Sequence, residues 1–194
     1  VLTLVNDATA AIAALSTAAD LIHSGEADRC LVVAAEELDW VSCEGYRRWN
    51  LTASSPNSNQ GAVLTEGAVA LVLGPPSPVH PQILRVHPGR TLPRHSNRRR
   101  IIAQVLAELA DGEKPAVAVL SSSGPARQEE VSVRECFPGA RVLVPKRVAG
   151  EAFAASGLLQ CLCAWKALGP SGKAVVPVLG WSGQIAGAFL SSPP

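Results

Sequence analysis

The 194-residue sequence contains no methionine, and aromatic residues make up only 4% of it. Charged residues are also few, at 17%, and the 17 Lys and Arg nearly cancel the 16 Asp and Glu, leaving a net charge of +1. With neither overall basicity nor interleaved aromatics, nucleic-acid binding is not expected, and no global field draws the chain to an anionic membrane. No apolar run approaches the roughly 20 residues that cross a bilayer. The N-terminus does not read as a signal peptide, and the lack of Met leads to the expectation that the natural start lies upstream. Five cysteines are an odd number. Cys161 and Cys163, two apart, would point to different sides of a helix and make a poor chelating pair. Scattered reduced thiols, a cytoplasmic location, and no metal or cofactor are the expectations.

Apolar residues are plentiful at 47%, enough for a large core. The length fits one compact domain or two small halves. The stretch "LTLVNDATAAIAALSTAADLI" (residues 2–22) sets the architectural problem. Val1–Val5 reads as a buried strand and Thr9–Ser24 as a helix ending at Gly25, almost without charge until Asp20. Strands follow at 29–38 and 67–73, separated by an irregular polar and aromatic segment at 40–62 with room for a short helix. The proline-rich "PPSPVHP" (75–81) is the best internal boundary, giving halves at 1–74 and 75–194. The second half predicts strands at 82–88, 116–124 and 141–145, an amphipathic helix at Asn97–Ala110 and a short helix at 127–136. A largely apolar helix at Glu151–Leu168 and a closing strand pair at 174–181 and 185–191 complete it.

The two ends share a topology: strand, apolar helix, strand, connection, strand. A helix without a wet face must be covered on all sides, so it lies between layers. Two such helices, lined with small residues (Ala8, Ala10, Ala11, Ala14; Ala152, Ala154, Ala155, Gly157), are expected to pack together between sheets.

Four segments carry a family resemblance. "HSGEADRCLVVAAEE" (23–37), "TEGAVALVLGP" (65–75), "PKRVAGEAFAASGLLQ" (145–160) and "GWSGQIAGAFL" (180–190) occur in the order and setting found in β-ketoacyl-acyl carrier protein synthases, of thiolase fold. The resemblance implies an α/β, thiolase-like layered α-β-α-β-α sandwich. It also implies that the N-terminal part of the first half is missing, leaving residues 1–74 as its remnant.

The resemblance further implies where chemistry would sit. A nucleophilic Cys at the strand-to-helix elbow would be activated by the positive end of the helix dipole. "NDATAA" places Ala8 there, with Thr9 the only adjacent hydroxyl and Asp7 suited to the first turn. The two family histidines, donors to a developing oxyanion, match Ser123 and Glu151, and the family Lys matches Lys146. The closing turn Gly180, Trp181, Ser182, Gly183 matches the acyl-pocket gate, with Trp bulkier than the family's Phe and Ser stiffer than Gly. Cys43, near Trp40, Tyr46 and Trp49, reads as a packed thiol. His23 closes a helix, where a cation is favoured; His80, His87 and His95 are placed in loops.

The chain is therefore expected to be a non-catalytic ketosynthase-like partner resembling chain-length factors. It would form a homo- or heterodimer through the Val1–Val5 strand, since an apolar edge should be covered, and would pair with an active ketosynthase. The alternative is an acyl-thioester transferase, decarboxylase or hydrolase built on Ser123 with Glu151 or Lys146. The basic cluster Arg94, Arg98, Arg99 and Arg100, expected to begin in a loop because arginines oppose a helix N-terminus, is the candidate docking face for an acidic acyl carrier protein.

Overall fold

In the computed structural model, which describes residues 1–53, 61–93, 97–121 and 127–193, helices and strands alternate along the chain. The order is α1 (Ala10–His23), β1 (Cys30–Glu36), α2 (Trp40–Arg48), β2 (Gly67–Leu73), β3 (Gln82–Thr91), α3 (Arg98–Ala110), β4 (Val117–Val119), α4 (Arg127–Cys136), β5 (Arg141–Leu143), α5 (Lys146–Ala149), α6 (Phe153–Ala167), β6 (Lys173–Gly180) and β7 (Gln184–Ser191). β1 and β2 form an antiparallel pair, Cys30 opposite Leu73 and Glu36 opposite Gly67. The other five strands form a mixed sheet in the order β3-β7-β6-β4-β5. β4 runs parallel to both β5 and β6, whereas β6–β7 and β7–β3 are antiparallel.

The apolar helices lie where their composition requires. α1 packs against α6, β1, β3 and β7, and α6 against β1, β2, β4, β6 and β7. The layers are therefore the β1–β2 pair, the two central helices, the five-stranded sheet, and α3 with α4 on its far side. β6 is buried on both faces, so it reads as an unbroken apolar run rather than an alternating one. Ala174, Val176 and Val178 face the central helices, while Val175 joins Phe189, Ile102 and Leu106 in the core beneath α3. Pro177 within β6 has no N–H, and β4 stays in ladder register with β6 only as far as Ala118 and Val175. The buried Gln160 amide of α6 bridges the gap, donating to the carbonyls of Pro177 (3.2 Å) and Val119 (3.5 Å).

Three expectations are corrected. Residues 1–5 form no strand; they are exposed, because no strand among the described residues lies beside them to complete a ladder. α6 begins at Phe153 rather than Glu151. The Glu151 backbone bonds outward, its N–H to Val63 O (2.8 Å) and its carbonyl to Thr65 N–H (3.0 Å), so it cannot enter the helix. Arg98, Arg99 and Arg100 form the first turn of α3 rather than a loop. Burial of Ile102, Val105, Leu106 and Leu109 drives that helix, and Glu135 of α4 pairs with Arg99 to offset the unfavourable charge. The outer face of β1–β2 is bare among the described residues: Leu31, Val33 and Val72 point to solvent while Val32 and Ala34 are buried. No helix of the described residues is long and apolar enough to cross a membrane.

The central helices touch through Gly157. A Cβ there would lie 2.9 Å from the Ala8 carbonyl oxygen and 3.0 Å from Ala11 Cβ. Gly157→Ala should therefore lose stability despite the better helix propensity of Ala, which contributes up to about 1 kcal/mol. A net loss of about 1–2 kcal/mol is expected from overpacking, read as a lower urea midpoint at unchanged m-value; a rise in midpoint would contradict this packing.

Candidate functional site

The site is built where the N-termini of α1 and α6 converge. Ala8 precedes α1 and is fully buried, as is Thr9, whose backbone forms the N-cap without a side-chain cap bond. The Thr9 hydroxyl donates to Gln184 Oε1 (3.0 Å), which also accepts from Asn6 Nδ2 (2.6 Å). Asp7 does more than stabilise the first turn. Its Oδ2 accepts both the N–H and the hydroxyl of Ser182, each at 2.7 Å, while Oδ1 makes only a longer contact with Thr9 N–H (3.3 Å). Gly180 permits this approach, because any Cβ there would run into the Asp7 carboxylate.

At the start of α6 a second carboxylate is more deeply placed. Glu151 and Lys146 are each about 2% exposed and pair at 2.6 Å. Glu151 Oε1 accepts the Ser156 hydroxyl (2.7 Å) and Oε2 also accepts the Trp181 indole N–H (3.1 Å). Ser156 in turn accepts Ala152 N–H (3.1 Å). The Glu151 carboxylate thus holds a cation and two further donors, with both oxygens satisfied. Glu36, from the end of β1, accepts Ala154 N–H of α6 (3.3 Å). The positive ends of both central helices thus meet carboxylates of the chain itself.

Over these groups sits an aromatic cluster. Tyr46 of α2 contacts Phe153 (ring centroids 5.2 Å) and meets Trp181 edge-on (5.5 Å), with Phe153 and Trp181 6.1 Å apart. Burial first, then the charges of Asp7, Glu151 and Glu36, push the Tyr46 phenol above its ordinary value, so it stays protonated at neutral pH. Phe153 has φ +34°, a left-handed conformation that costs a non-glycine residue free energy.

The sequence-derived residues divide accordingly. Ala8, Lys146, Glu151, Gly180, Trp181, Ser182 and Gly183 come together. Ser123 and Arg94, like His95, lie outside the described residues. Arg98, Arg99 and Arg100 lie on α3, across the five-stranded sheet from the central helices. His87 falls in β3 rather than a loop, 3.1 Å from Glu108. Cys43 is half-buried in α2. Asn6, Glu36, Tyr46, Ser156 and Gln184 also join the site, and no motif in the sequence assigns them a role there. The one local hint was Gly180, a residue that allows close approach, but its partner Asp7 is remote in sequence.

Residues 2–77 match the family described as beta-ketoacyl synthase, N-terminal domain. That match covers less than half of the chain; the chain as a whole shares the fold of solved ketosynthase structures. The superpositions run over nearly the whole chain. It matches the ishigamide ketosynthase/chain length factor with TM-score 0.73 at 20% identity, over 97% of this chain and 56% of that one. It matches the ketosynthase from module 6 of the bacillaene synthase from Bacillus subtilis 168 with TM-score 0.81 at 15% identity, over 96% and 46%. It matches a chain of the complex between a type II polyketide synthase acyl-carrier protein and its ketosynthase bound to the hexaketide, with TM-score 0.74 at 15% identity, over 98% and 59%. The chain thus spans roughly half the length of these structures. No curated protein matches it.

Two outcomes are expected from this geometry. Lys146→Met should lose about 3–5 kcal/mol by leaving Glu151 buried without its cation, and adding Glu151→Gln should restore more than half, both read by urea unfolding. The Cys161 thiol, pushed up to about 12 by burial and then by Cys163, should escape iodoacetamide at pH 9 in the folded chain and react in urea.

Proposed function

We propose that the chain is a non-catalytic ketosynthase-like subunit, a partner of an active β-ketoacyl synthase in fatty acid or polyketide synthesis, in the manner of a chain-length factor. One observation carries this reading. The α1 N-terminus, where the family resemblance places a sulfur nucleophile, presents the buried methyl group of Ala8. Its surroundings agree. Glu151, which matches a family histidine, accepts hydrogen bonds and carries negative charge, so it would oppose an oxyanion rather than donate to it. The helix N-termini, which stabilise developing anions elsewhere, here face Asp7, Glu36 and Glu151. The Trp181 ring closes over them as an acyl-pocket plug.

In this reading residues 1–74 and 75–194 act as two halves of one unit, since α1 of the first packs on β3 and β7 of the second. The exposed apolar residues Val1, Leu2, Leu4 and Val5 become the pairing edge of a homo- or heterodimer. The arginines at the start of α3 offer an acidic acyl carrier protein its docking surface; one of the structural neighbours is itself a ketosynthase complex with such a carrier.

Incubation with acyl and malonyl thioesters followed by intact-mass spectrometry tests the assignment. No covalent adduct and no turnover are expected, together with co-purification of an active synthase. A stable adduct, or turnover abolished by Ser123→Ala, would replace this reading with an acyltransferase, decarboxylase or hydrolase. Light scattering should find a dimer at micromolar concentration. A stable monomer on dilution would remove the pairing edge.

A further inference from the structure

The two sheets treat their edges differently. β3, the outer strand of the five-stranded sheet, carries Pro88 and two register shifts, and β5 at the other end has only three residues. Proline, bulges and shortness keep an edge from pairing with another chain. β1 has none of them. Its seven residues, Cys30–Glu36, pair with β2 without a shift, and no strand lies along its other edge among the described residues. β2 also has a free edge, but Gly74, Pro75 and Pro76 follow it directly and stop a ladder from extending. The free edge of β1 lies on the α1 side of the molecule. α6 packs on both β1 and β2, whereas α1 packs on β1 and β3. α1 meets α6 at Ala11 and Ile12, and its opposite stripe, Ala13, Ser16, Thr17 and Asp20, is left half-buried or exposed. One flank therefore shows an unpaired strand beside a helix stripe with small side chains and a single charge.

We propose that β1 pairs antiparallel with β1 of a second copy of this chain, across a twofold axis centred on Val33, joining two β1–β2 pairs into one four-stranded sheet. The register follows from the residues. Only this centre pairs the whole strand, with Cys30 at one end opposite Glu36 at the other. It also keeps Leu31, Val33 and Ala35 of both copies on one face, which a shift by one residue would not. Finally, it sets Arg29 of each copy opposite Glu37 of the other. Both side chains are exposed, and neither has an ion pair among the described residues. Within one chain they stand at opposite ends of β1, about 26 Å apart at the rise of a strand, so only a second copy brings them together. The apolar outer face becomes continuous across the joint, since Leu31, Val33 and Ala35 already oppose Val72, Ala70 and Ala68. On the inner side the two α1 stripes come side by side. An isolated pair of strands is marginal, and four strands with a shared apolar face are not. A twofold contact of this kind is closed, so pairing through β1 stops at two copies. It is distinct from the contact proposed for residues 1–5 and independent of whether the chain has activity of its own.

Cross-linking tests the centre and charge reversal tests the register. Val33 points to solvent, so Val33→Cys leaves the core intact. Opposed residues of an antiparallel pair have Cα atoms about 4.5–5.5 Å apart, within reach of a disulfide. Mild oxidation of Val33→Cys should therefore link two copies through position 33, read by peptide mass so that the five native cysteines do not interfere. Glu37→Lys should raise the dimer dissociation constant at least about tenfold in sedimentation, because two like-charge contacts replace two attractive ones. Adding Arg29→Glu to Glu37→Lys should restore the original affinity. A chain that stays monomeric at high micromolar concentration would overturn the pairing. A dimer that cross-links through Thr3→Cys and not through position 33 would also overturn it, and would leave the edge at residues 1–5 as the interface. A double variant no tighter than Glu37→Lys alone would show that Arg29 does not face Glu37, and the register would fall with it.

Discussion

Two backbones approach so closely at Gly157 that its missing side chain is the space occupied by the Ala8 carbonyl and the Ala11 methyl group. That contact places the start of α1 beside the start of α6, and the site exists only because the two starts are together. Small residues along both helices make the approach sterically allowed, and close packing holds it in place. The sheets on either side then cover what the helices leave apolar: Val32 and Ala34 from one, Val176 and Ala188 from the other.

Bringing two helix N-termini together concentrates positive potential at one place. The chain answers with Asp7, Glu36 and Glu151, and each carboxylate does a second task. Asp7 fixes the turn after β6, Glu151 neutralises a buried lysine and accepts an indole, and Glu36 joins the end of β1 to the start of α6. A buried ion pair is a modest source of net stability, because desolvation offsets most of its attraction. Its value here lies in direction: the pair, Ser156 and Trp181 have one arrangement that satisfies them all. The same carboxylates that complete the helix ends make the site inhospitable to a further negative charge, which is the physical content of the proposed non-catalytic role.

The two sheets are unequal. The five-stranded sheet is covered on both faces, by the central helices and by α3 and α4. Among the described residues the β1–β2 pair is covered on one face only, with Leu31, Val33 and Val72 open to solvent. A two-stranded pair is marginal by itself; this one is held by its packing against α1 and α6.

Much of the element order was legible in the sequence, because hydrophobic period and Gly or Pro punctuation are local signals. The helix at 127–136 and the closing strand pair appear where those signals put them, as does the body of α3 after its arginine turn. The uniform apolarity of residues 8–19 and 152–165 also required two buried helices, since no half-wet packing could satisfy them. Other features depended on partners distant along the chain. Residues 1–5 have strand composition but no neighbouring strand among the described residues, and Glu151 has helical neighbours but a backbone already bonded to Val63 and Thr65. Asp7 looked like a helix cap until folding brought Ser182, 175 residues away, to its carboxylate. The sequence determined which segments had to be buried and which side chain stands before α1. Only the tertiary structure decided which donors meet which carboxylates, because hydrogen bonds are directional and short-ranged and their partners are chosen by the packing of whole elements.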